Sequence, residues 1–376
     1  MFFQHTPASL GVDGVASSCH TGDAACRRMR SSLRCSRVRL LGNVGLMSDY
    51  ASMRRLMSFL VKAAISAVLF YFSLRRVNLG SIGQRLGELD LRWMIFALFM
   101  LCGQIPPLAL RWREIIEVCG AKLQLATALS YSLIGQFFNQ VLPATVGGDA
   151  VRIWLLARGG TGWPTAIYSV LIDRVVGLST LAVLVVACLP WTFNIIHDPI
   201  ARAALTLIGF GALVGALVFL ALGVKHLRVM ERWWLTRHLA TVSRIAWRLC
   251  RSVTGARAAG LSFVIHLMTA MVAWGAAMAA HAAIDFVHVL LIVLPVMLIA
   301  TLPVSIAGWG VRESTMVLAF SYAGLAESDG LIVSILLGVL NLAVGAIGGI
   351  VWVASGYRWR VVKKIETDTL THDPMR

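Results

Sequence analysis

The chain has 376 residues, of which 58% are hydrophobic and 14% are charged, and its mean hydropathy is +0.77. Soluble domains average about 45–50% apolar and about 25% charged residues, so the composition excludes an ordinary soluble protein and indicates an all-α polytopic membrane protein. The formal net charge of +16 does not indicate nucleic-acid binding, because the basic residues stand in short loops beside apolar segments, where they set topology and contact anionic lipids.

The first residues differ in composition from the rest of the chain. Residues 1–52 are rich in Ser, Gly, Cys and Arg and contain no apolar core of the kind a signal peptide needs. Two interpretations are open: a disordered basic tail, or a start codon assigned upstream of the true one at Met47 or Met53. We expect the transmembrane domain to cover 53–356 and residues 357–376 to form a cytoplasmic tail.

Six apolar segments are long enough to cross a hydrocarbon core of roughly 30 Å at about 1.5 Å per residue. They are 56–74, 92–110, 166–190, 203–223, 258–280 and 331–354. Four shorter pieces form two pairs interrupted by Pro and Gly, namely 124–142 with 149–158 and 288–303 with 312–325. The sequence therefore predicts about six full spans plus two interrupted or re-entrant helix pairs, or 8 or so membrane segments.

Charge asymmetry predicts how these segments are oriented. The polar loop 224–257 and the segment after residue 356 are strongly basic, so we expect both to lie in the cytoplasm. We expect the membrane to be the inner (plasma) membrane of the cell. If 124–158 is re-entrant, its basic flanks both stay inside, whereas 286–325 enters and leaves from the outer side. Two such opposed hairpins are typical of an inverted repeat around a transport site.

The two interrupted pairs carry one matched string. PATVGGDAVR at 143–152 and PVSIAGWGVR at 303–312 share the spacing of Pro, Gly, Val and Arg. Non-helical backbone is tolerated at membrane depth only inside protein or against a water-filled cavity. We hypothesise that two broken helices each offer an N-terminus and a guanidinium to one lipid phosphate. Pro143 and Pro303 are predicted structural residues. The substrate-binding candidates are Arg152, Arg312, Gly147, Gly148, Gly308, Asp149, Asp173, Arg174, Asn139 and Glu313.

Acidic neighbours leave alternatives open at these arginines. Each Arg could instead anchor a helix end by pairing with Asp149 or Glu313. Asp149 would either neutralise Arg152 in an empty site or contact a cationic headgroup. Asp173 and Arg174 lie inside a predicted span, where charges are costly and usually functional. We expect Asp173 either to bond Arg152 or Arg312 as a gate, or to anchor the span at the cytoplasmic interface.

Other polar and small residues have structural interpretations. Gln136, Asn139 and Gln140 share one stripe, which either lines a cavity or caps buried backbone. Gly345 and Gly349 stand at GxxxG spacing, which predicts close helix packing within the chain or at a dimer interface.

A basic and aromatic group closes the span at 92–110. Arg111 and Arg113 flank Trp112 there. This pattern predicts an anchor at the level of the lipid headgroups, with a site where headgroups enter the protein as the alternative.

Three strings together resemble one known family. FFNQVLPATVGGDAVR at 137–152, IDRVVGL at 172–178 and LPVSIAGWGVRES at 302–314 are similar to the lysylphosphatidylglycerol synthase transmembrane family, the flippase-like integral membrane proteins. The resemblance covers most of 53–356. It implies the membrane part, which is associated with moving a modified lipid between leaflets, and not the synthase activity, because no aminoacyl-transferase domain follows residue 356.

We therefore expect a lipid transporter and not an enzyme, with no cofactor and no metal. The expected partners are a membrane phospholipid or lipid-linked sugar, a separate lipid-modifying enzyme or glycosyltransferase, and a second copy of the chain in a homodimer. One alternative is a membrane-embedded transferase that uses Asp149 and Asp173 around a metal ion. The other is a non-catalytic scaffold. The sequence contains no P-loop or HExxH string, so transport would be passive, gradient-coupled or assisted by a partner.

Overall fold

The computed structural model describes residues 57, 71, 87–142, 146–224, 234–301 and 310–356. The chain divides into two units, Met1–Val61 and Lys62–Arg376, and all described residues except Met57 belong to the second. Those described residues are almost entirely helical and contain no strand, which confirms the all-α prediction. The predicted tails at 1–52 and 357–376 lie outside the described residues, as does the span at 56–74 apart from Met57 and Tyr71.

The first two described helices are nearly continuous. Helix α1 covers Leu91–Gly103 and helix α2 covers Ile105–Val118, with Gln104 between them. Pro106 at the start of α2 has no backbone N–H to continue the helical ladder, which accounts for the interruption. The break leaves the polar Gln104 inside an otherwise apolar stretch.

Two shorter helices and a long one follow. Helix α3 covers Leu125–Val141 and helix α4 covers Gly147–Leu156, so their 17 and 10 residues give lengths of only about 26 and 15 Å. A π-helical turn at Ala157–Thr161 and two glycines with positive φ then redirect the chain into helix α5, Trp163–Ile195. This reversal lays α4 against α5.

Helices α6 (Pro199–Val224), α7 (Trp234–Cys250) and α8 (Val253–Ala279) come next. Helix α7 lies within the stretch 224–257 that the sequence analysis treated as a polar loop. Its buried Val242, Ala246 and Leu249 recur at helical spacing, and Val242 and Leu249 share an apolar cluster with residues of α2 and α5. This spacing is the signal that predicts the helix, although basic side chains surround it.

The second short pair consists of helix α9 (Phe286–Ala300) and helix α10 (Val311–Tyr322), with 15 and 12 residues. The long helix α11, Glu327–Ala354, completes the described chain. Both short pairs therefore form near the predicted positions. Their relation by an inverted repeat stays a prediction.

Five helical stretches among the described residues are long and apolar enough to cross a membrane. They are Leu91–Val118, Trp163–Ile195, Pro199–Gly223, Val253–Ala279 and Glu327–Ala354. Each contains most or all of one predicted span, and long apolar helices therefore form at these five predicted positions, as in a multi-pass membrane protein.

The two largest of four apolar clusters among the described residues hold most of the helices together. One is formed chiefly by α1, α8, α9, α10 and α11, and the other by α2, α3, α4 and α5. Helix α11 joins them by packing on α3, where Gly345 and Gly349 face Gln140 and Phe137. Gly348, which sequence analysis missed, makes the tightest approach: a Cβ there would lie 1.9 Å from a carbonyl oxygen of α3.

Candidate functional site

Five charged side chains form one continuous network where α2, α4 and α5 meet. Asp173 accepts hydrogen bonds from Nε of Arg111 at 2.8 Å and from Nη2 of Arg152 at 3.2 Å. Asp149 accepts from Nη1 of Arg152 at 3.3 Å and from Nε of Arg174 at 2.5 Å. We call Arg111–Asp173–Arg152–Asp149–Arg174 the five-charge network; three arginines and two aspartates give it a formal charge of +1.

The network runs from the interior of the helix bundle to its surface. The side chains of Arg111, Asp173, Arg152 and Asp149 are at most 7% exposed, whereas that of Arg174 is 49% exposed. Removing charges from water carries a penalty that only close pairing offsets. The alternation of signs supplies that pairing, and the structure joins Asp173 to Arg152, one of the two partners the sequence suggested.

Neighbouring groups fix the two buried arginines. Ser262 of α8 accepts a hydrogen bond from Nη1 of Arg111 at 2.8 Å. The guanidinium of Arg152 lies 4.0 Å from the ring centroid of Trp112, a cation–π geometry. Gly135 leaves room for this side chain, since a Cβ there would lie 3.0 Å from its methylene carbons. Nε of Arg152 is buried and has no hydrogen-bond partner within the described part of the chain.

The predicted anchor at the headgroup level is wrong for Arg111 and Trp112. Arg111 is 6% exposed and Trp112 is fully buried, whereas Arg113 makes a half-exposed ion pair with Glu117 at 3.2 Å. Helix α2 continues beyond the apolar segment, so Arg111 lies in mid-helix and faces α5 and α8. The signal that indicates this role is Asp173, because an acid inside a span requires a counter-charge.

The first Gly-Arg motif is held by its own polar stripe. The backbone N–H of Gly148 donates to Oδ1 of Asn139 at 2.9 Å, so Asn139 makes a capping bond at the start of α4. A Cβ on Gly148 would lie 2.0 Å from the carbonyl oxygen of Gly135, and one on Gly147 would lie 2.6 Å from Leu142. Glycine is therefore required where α4 crosses α3. Pro143 lies outside the described residues.

The second motif is organised around Glu313, which is fully buried. Its carboxylate accepts from the backbone N–H of Gly310 at 2.6 Å, from Nη2 of Arg312 at 2.7 Å and from the hydroxyl of Ser334 at 3.1 Å. Nε of Arg312 also donates to the Ser334 hydroxyl at 3.0 Å. Gly310 adopts a φ of 87°, which favours glycine. Pro303 and Gly308 lie outside the described residues.

The partners described for the two motif arginines do not overlap. Arg152 contacts acids of α4 and α5, whereas Arg312 contacts Glu313 of its own helix and Ser334 of α11. Arg152 is thus balanced by two carboxylates that it shares with Arg111 and Arg174, and Arg312 is paired with the carboxylate of Glu313. A single phosphate shared by both arginines stays a prediction.

Arg312 also lines a cavity of about 250 Å³ between α1, α2, α3, α8, α9, α10 and α11, which we call the Arg312 cavity. Its other polar lining residues are Gln104, Gln136, Thr269 and Asn341. Nε2 of Gln136 donates to Oδ1 of Asn341 at 2.8 Å. Nε2 of Gln104 is buried, and no described residue is its hydrogen-bond partner. Gln104 was not among the predicted site residues, although a glutamine two residues before a pair of prolines in an apolar span is a detectable signal.

The cavity and the five-charge network are neighbours along two helices. Leu108 lines the cavity and stands three residues before Arg111 on α2. Ile265 lines it and stands three residues after Ser262 on α8. One helical turn therefore separates the cavity lining from the network on both helices.

The two aspartates of the network are poor candidates for a metal site. All four carboxylate oxygens of Asp149 and Asp173 accept hydrogen bonds from guanidinium groups. A divalent cation would have to displace at least one arginine and stand beside the others. No group of three or more His, Cys, Asp or Glu residues in the described part of the chain is placed to hold a metal ion.

Residues 59–362 match the family described as the lysylphosphatidylglycerol synthase TM region. A stretch of 161 residues is 25% identical to a UPF0104 membrane protein of Pyrococcus horikoshii, and the match covers 41% of this chain and 46% of that protein. The chain thus spans about half the length of that curated relative. Because the family match extends over well more than half of the sequence, the protein belongs to the lysylphosphatidylglycerol synthase transmembrane family.

Proposed function

We propose that this protein moves an anionic phospholipid or a lipid-linked headgroup between membrane leaflets, and that the Arg312 cavity holds the headgroup. The observation that carries the proposal is a guanidinium lining a cavity together with four uncharged polar side chains, inside an otherwise apolar helix bundle. Guanidinium groups bind phosphate through paired hydrogen bonds, and charged groups within membrane bundles usually mark substrate pathways.

The five-charge network supplies the second element of the proposal. Asp149 and Asp173 hold Arg152 when no headgroup is bound, and an arriving phosphate competes with them for that guanidinium. Nε of Arg152 bonds no described residue, so a phosphate could accept from it before either carboxylate is displaced. In this way both Gly-Arg motifs, including Gly147, Gly148 and Gly308, serve one transport path.

The setting of this activity follows from charge and family. The basic stretch 224–257 supports a plasma-membrane protein with its C-terminus in the cytoplasm. A separate lipid-modifying enzyme or glycosyltransferase would supply or use the transported lipid, and a homodimer is the proposed assembly.

The test is leaflet exchange in proteoliposomes, measured with fluorescent phosphatidylglycerol and a fluorescent polyprenyl phosphate. Replacing Arg312 by Ala removes a charge-assisted contact of about 1.5–3 kcal/mol, so exchange is expected to slow by about 10- to 150-fold. Arg312→Lys keeps the positive charge but loses the forked guanidinium, so its exchange rate is expected to lie between those of wild type and Arg312→Ala. Arg158→Ala is the matched control, because this arginine is exposed and outside the cavity.

Each outcome separates the candidate functions. Equal exchange by wild type and Arg312→Ala would remove the cavity from the mechanism. Loss of leaflet exchange when metal ions are chelated would support the alternative of a metal-dependent transferase that uses Asp149 and Asp173. Absence of exchange of either lipid by the folded wild-type protein would overturn the transport proposal in favour of a scaffold.

A further inference from the structure

The lining of the Arg312 cavity carries information about which headgroup it accepts. Arg312 bears the sole charge among the described lining residues, and the other polar members are Gln104, Gln136, Thr269 and Asn341. We propose that the cavity selects headgroups that carry a phosphate and uncharged hydroxyl groups, such as a glycerol or sugar phosphate, and rejects headgroups that also carry an ammonium group. This inference rests on the proposed function.

The distribution of acids argues against a cationic headgroup. No carboxylate is found among the described lining residues. The adjacent Glu313 is fully buried, and its oxygens already accept from a backbone N–H, Arg312 and Ser334. Residues 302–309, which precede this motif, contain no Asp or Glu in the sequence. An ammonium group in the cavity would therefore meet no available carboxylate among the described residues, while it lay close to the positive charge of Arg312 in a place of low dielectric.

The uncharged side chains suit hydroxyl groups. A carboxamide offers both donors and acceptors, and a hydroxyl can use either. Gln104 supplies a buried Nε2 donor that has no hydrogen-bond partner among the described residues. The bond between Gln136 and Asn341 fixes both amides in position, and Thr269 donates its own hydroxyl to backbone, which leaves its oxygen as an acceptor. A headgroup that lacks hydroxyls would leave such groups unsatisfied.

The size of the cavity fits the same class of headgroup. Its 250 Å³ corresponds to roughly eight water molecules at about 30 Å³ each. This space accommodates a phosphate with a short polyol or one sugar ring. The long aminoacyl arm of a lysyl ester would add both length and positive charge.

The experiment measures binding of short-chain lipids to the purified full-length protein in detergent by titration calorimetry. The probes are dihexanoyl phosphatidylglycerol and its lysyl ester, and wild type is expected to bind the former at least about tenfold more tightly. Gln104→Glu is nearly isosteric and adds a carboxylate to the cavity. It is expected to shift the ratio of the two affinities about tenfold or more toward the lysyl ester. Gln124→Glu makes the same change at an exposed position at the start of α3 and is expected to leave the ratio unchanged.

Two results would overturn the inference: equal binding of both lipids by wild type, or an unchanged ratio in Gln104→Glu. Leaflet exchange that depends on Arg312 but is equally fast for both lipids would leave the proposed function standing and remove the selectivity. Selective binding without any leaflet exchange would leave the selectivity standing and overturn the proposed function, because the cavity would then be a headgroup site in a protein that does not transport.

Discussion

Replacement of Asp173 by Asn tests whether the five-charge network holds the helices together. Asp173 contacts two guanidiniums that are 7% and 6% exposed, and it joins α5 to α2 and α4. The substitution keeps the size of the side chain and one acceptor oxygen. It raises the formal charge of the network from +1 to +2, because three arginines then face Asp149 alone.

The expected cost follows from burial. Removing one partner of a buried ion pair typically costs about 3–5 kcal/mol, because it leaves an uncompensated charge in a poorly solvated place. Asn still accepts one hydrogen bond, so we expect the lower end, about 3 kcal/mol. This is a large share of a total stability of about 5–15 kcal/mol and changes the unfolding equilibrium about 150-fold.

The assay is equilibrium unfolding in mixed micelles with increasing sodium dodecyl sulfate, followed by tryptophan fluorescence. Glu117→Gln is the matched control, since it makes the same acid-to-amide change in the Arg113 pair, whose side chains are 37% and 44% exposed. That exposed pair should contribute no more than about 0.5 kcal/mol. The double variant Asp173→Asn plus Arg111→Met removes one of the arginines left without a carboxylate partner, so it should recover part of the lost stability. Equal unfolding midpoints for Asp173→Asn and Glu117→Gln would refute the reasoning.

Two further predictions concern packing and thiol chemistry. Gly148→Ala and Gly348→Ala should each destabilise by about 2 kcal/mol or more in the same assay, because a Cβ would lie 2.0 and 1.9 Å from carbonyl oxygens of α3. Gly260→Ala, on an open face of α8, should be neutral or slightly stabilising, and equal effects at all three positions would contradict the packing argument. Burial raises the pKa of the Cys119 thiol to about 11, so its alkylation by iodoacetamide, followed by mass spectrometry, should accelerate about tenfold per pH unit from pH 7 to 10. A plateau near pH 9 would show an ordinary thiol instead.

The helices were largely predictable because membrane insertion imposes a strong local rule. Every long span needs about 20 apolar residues whatever its neighbours, so the predicted spans from 92–110 onward match described helices. Helix α7 was not predicted, because its apolar residues form a narrow stripe among arginines. The average polarity of such a segment is high and obscures the stripe. The short pairs were located by Pro and Gly, which interrupt helices through their own backbone chemistry.

For the candidate site, the sequence predicted some of the residues but not which of them pair with one another. Charged residues within apolar segments identified Arg152, Asp149 and Asp173, but their partners depend on which helices pack together. Arg111 stands 62 residues from Asp173, and nothing local distinguishes it from an interfacial arginine. Its burial is a property of the contact between α2 and α5, which spacing within one helix cannot reveal.

The two Gly-Arg motifs illustrate the same limit, because matched spacing in sequence does not give matched positions in the helices. Helix α4 begins at Gly147, four residues after its Pro, whereas α10 begins at Val311, eight residues after its Pro. Both helices therefore carry an acid at their third residue, Asp149 or Glu313, where a negative charge suits the helix dipole. The arginines differ by one turn: Arg152 is the sixth residue of α4, and Arg312 is the second of α10.

This offset gives the two arginines different work in the proposed path. A guanidinium in the first turn stands at the positive end of the helix dipole, so Arg312 depends on Glu313 and favours any additional anion that reaches the cavity. A guanidinium one turn further in is surrounded by neighbouring helices, so Arg152 is held by acids of α4 and α5. Arg312 is therefore placed to meet a headgroup first, and Arg152 to exchange partners afterwards. In the proposed path the repeated string would supply two successive contacts for one anion, and the four-residue difference in helix start would separate these contacts.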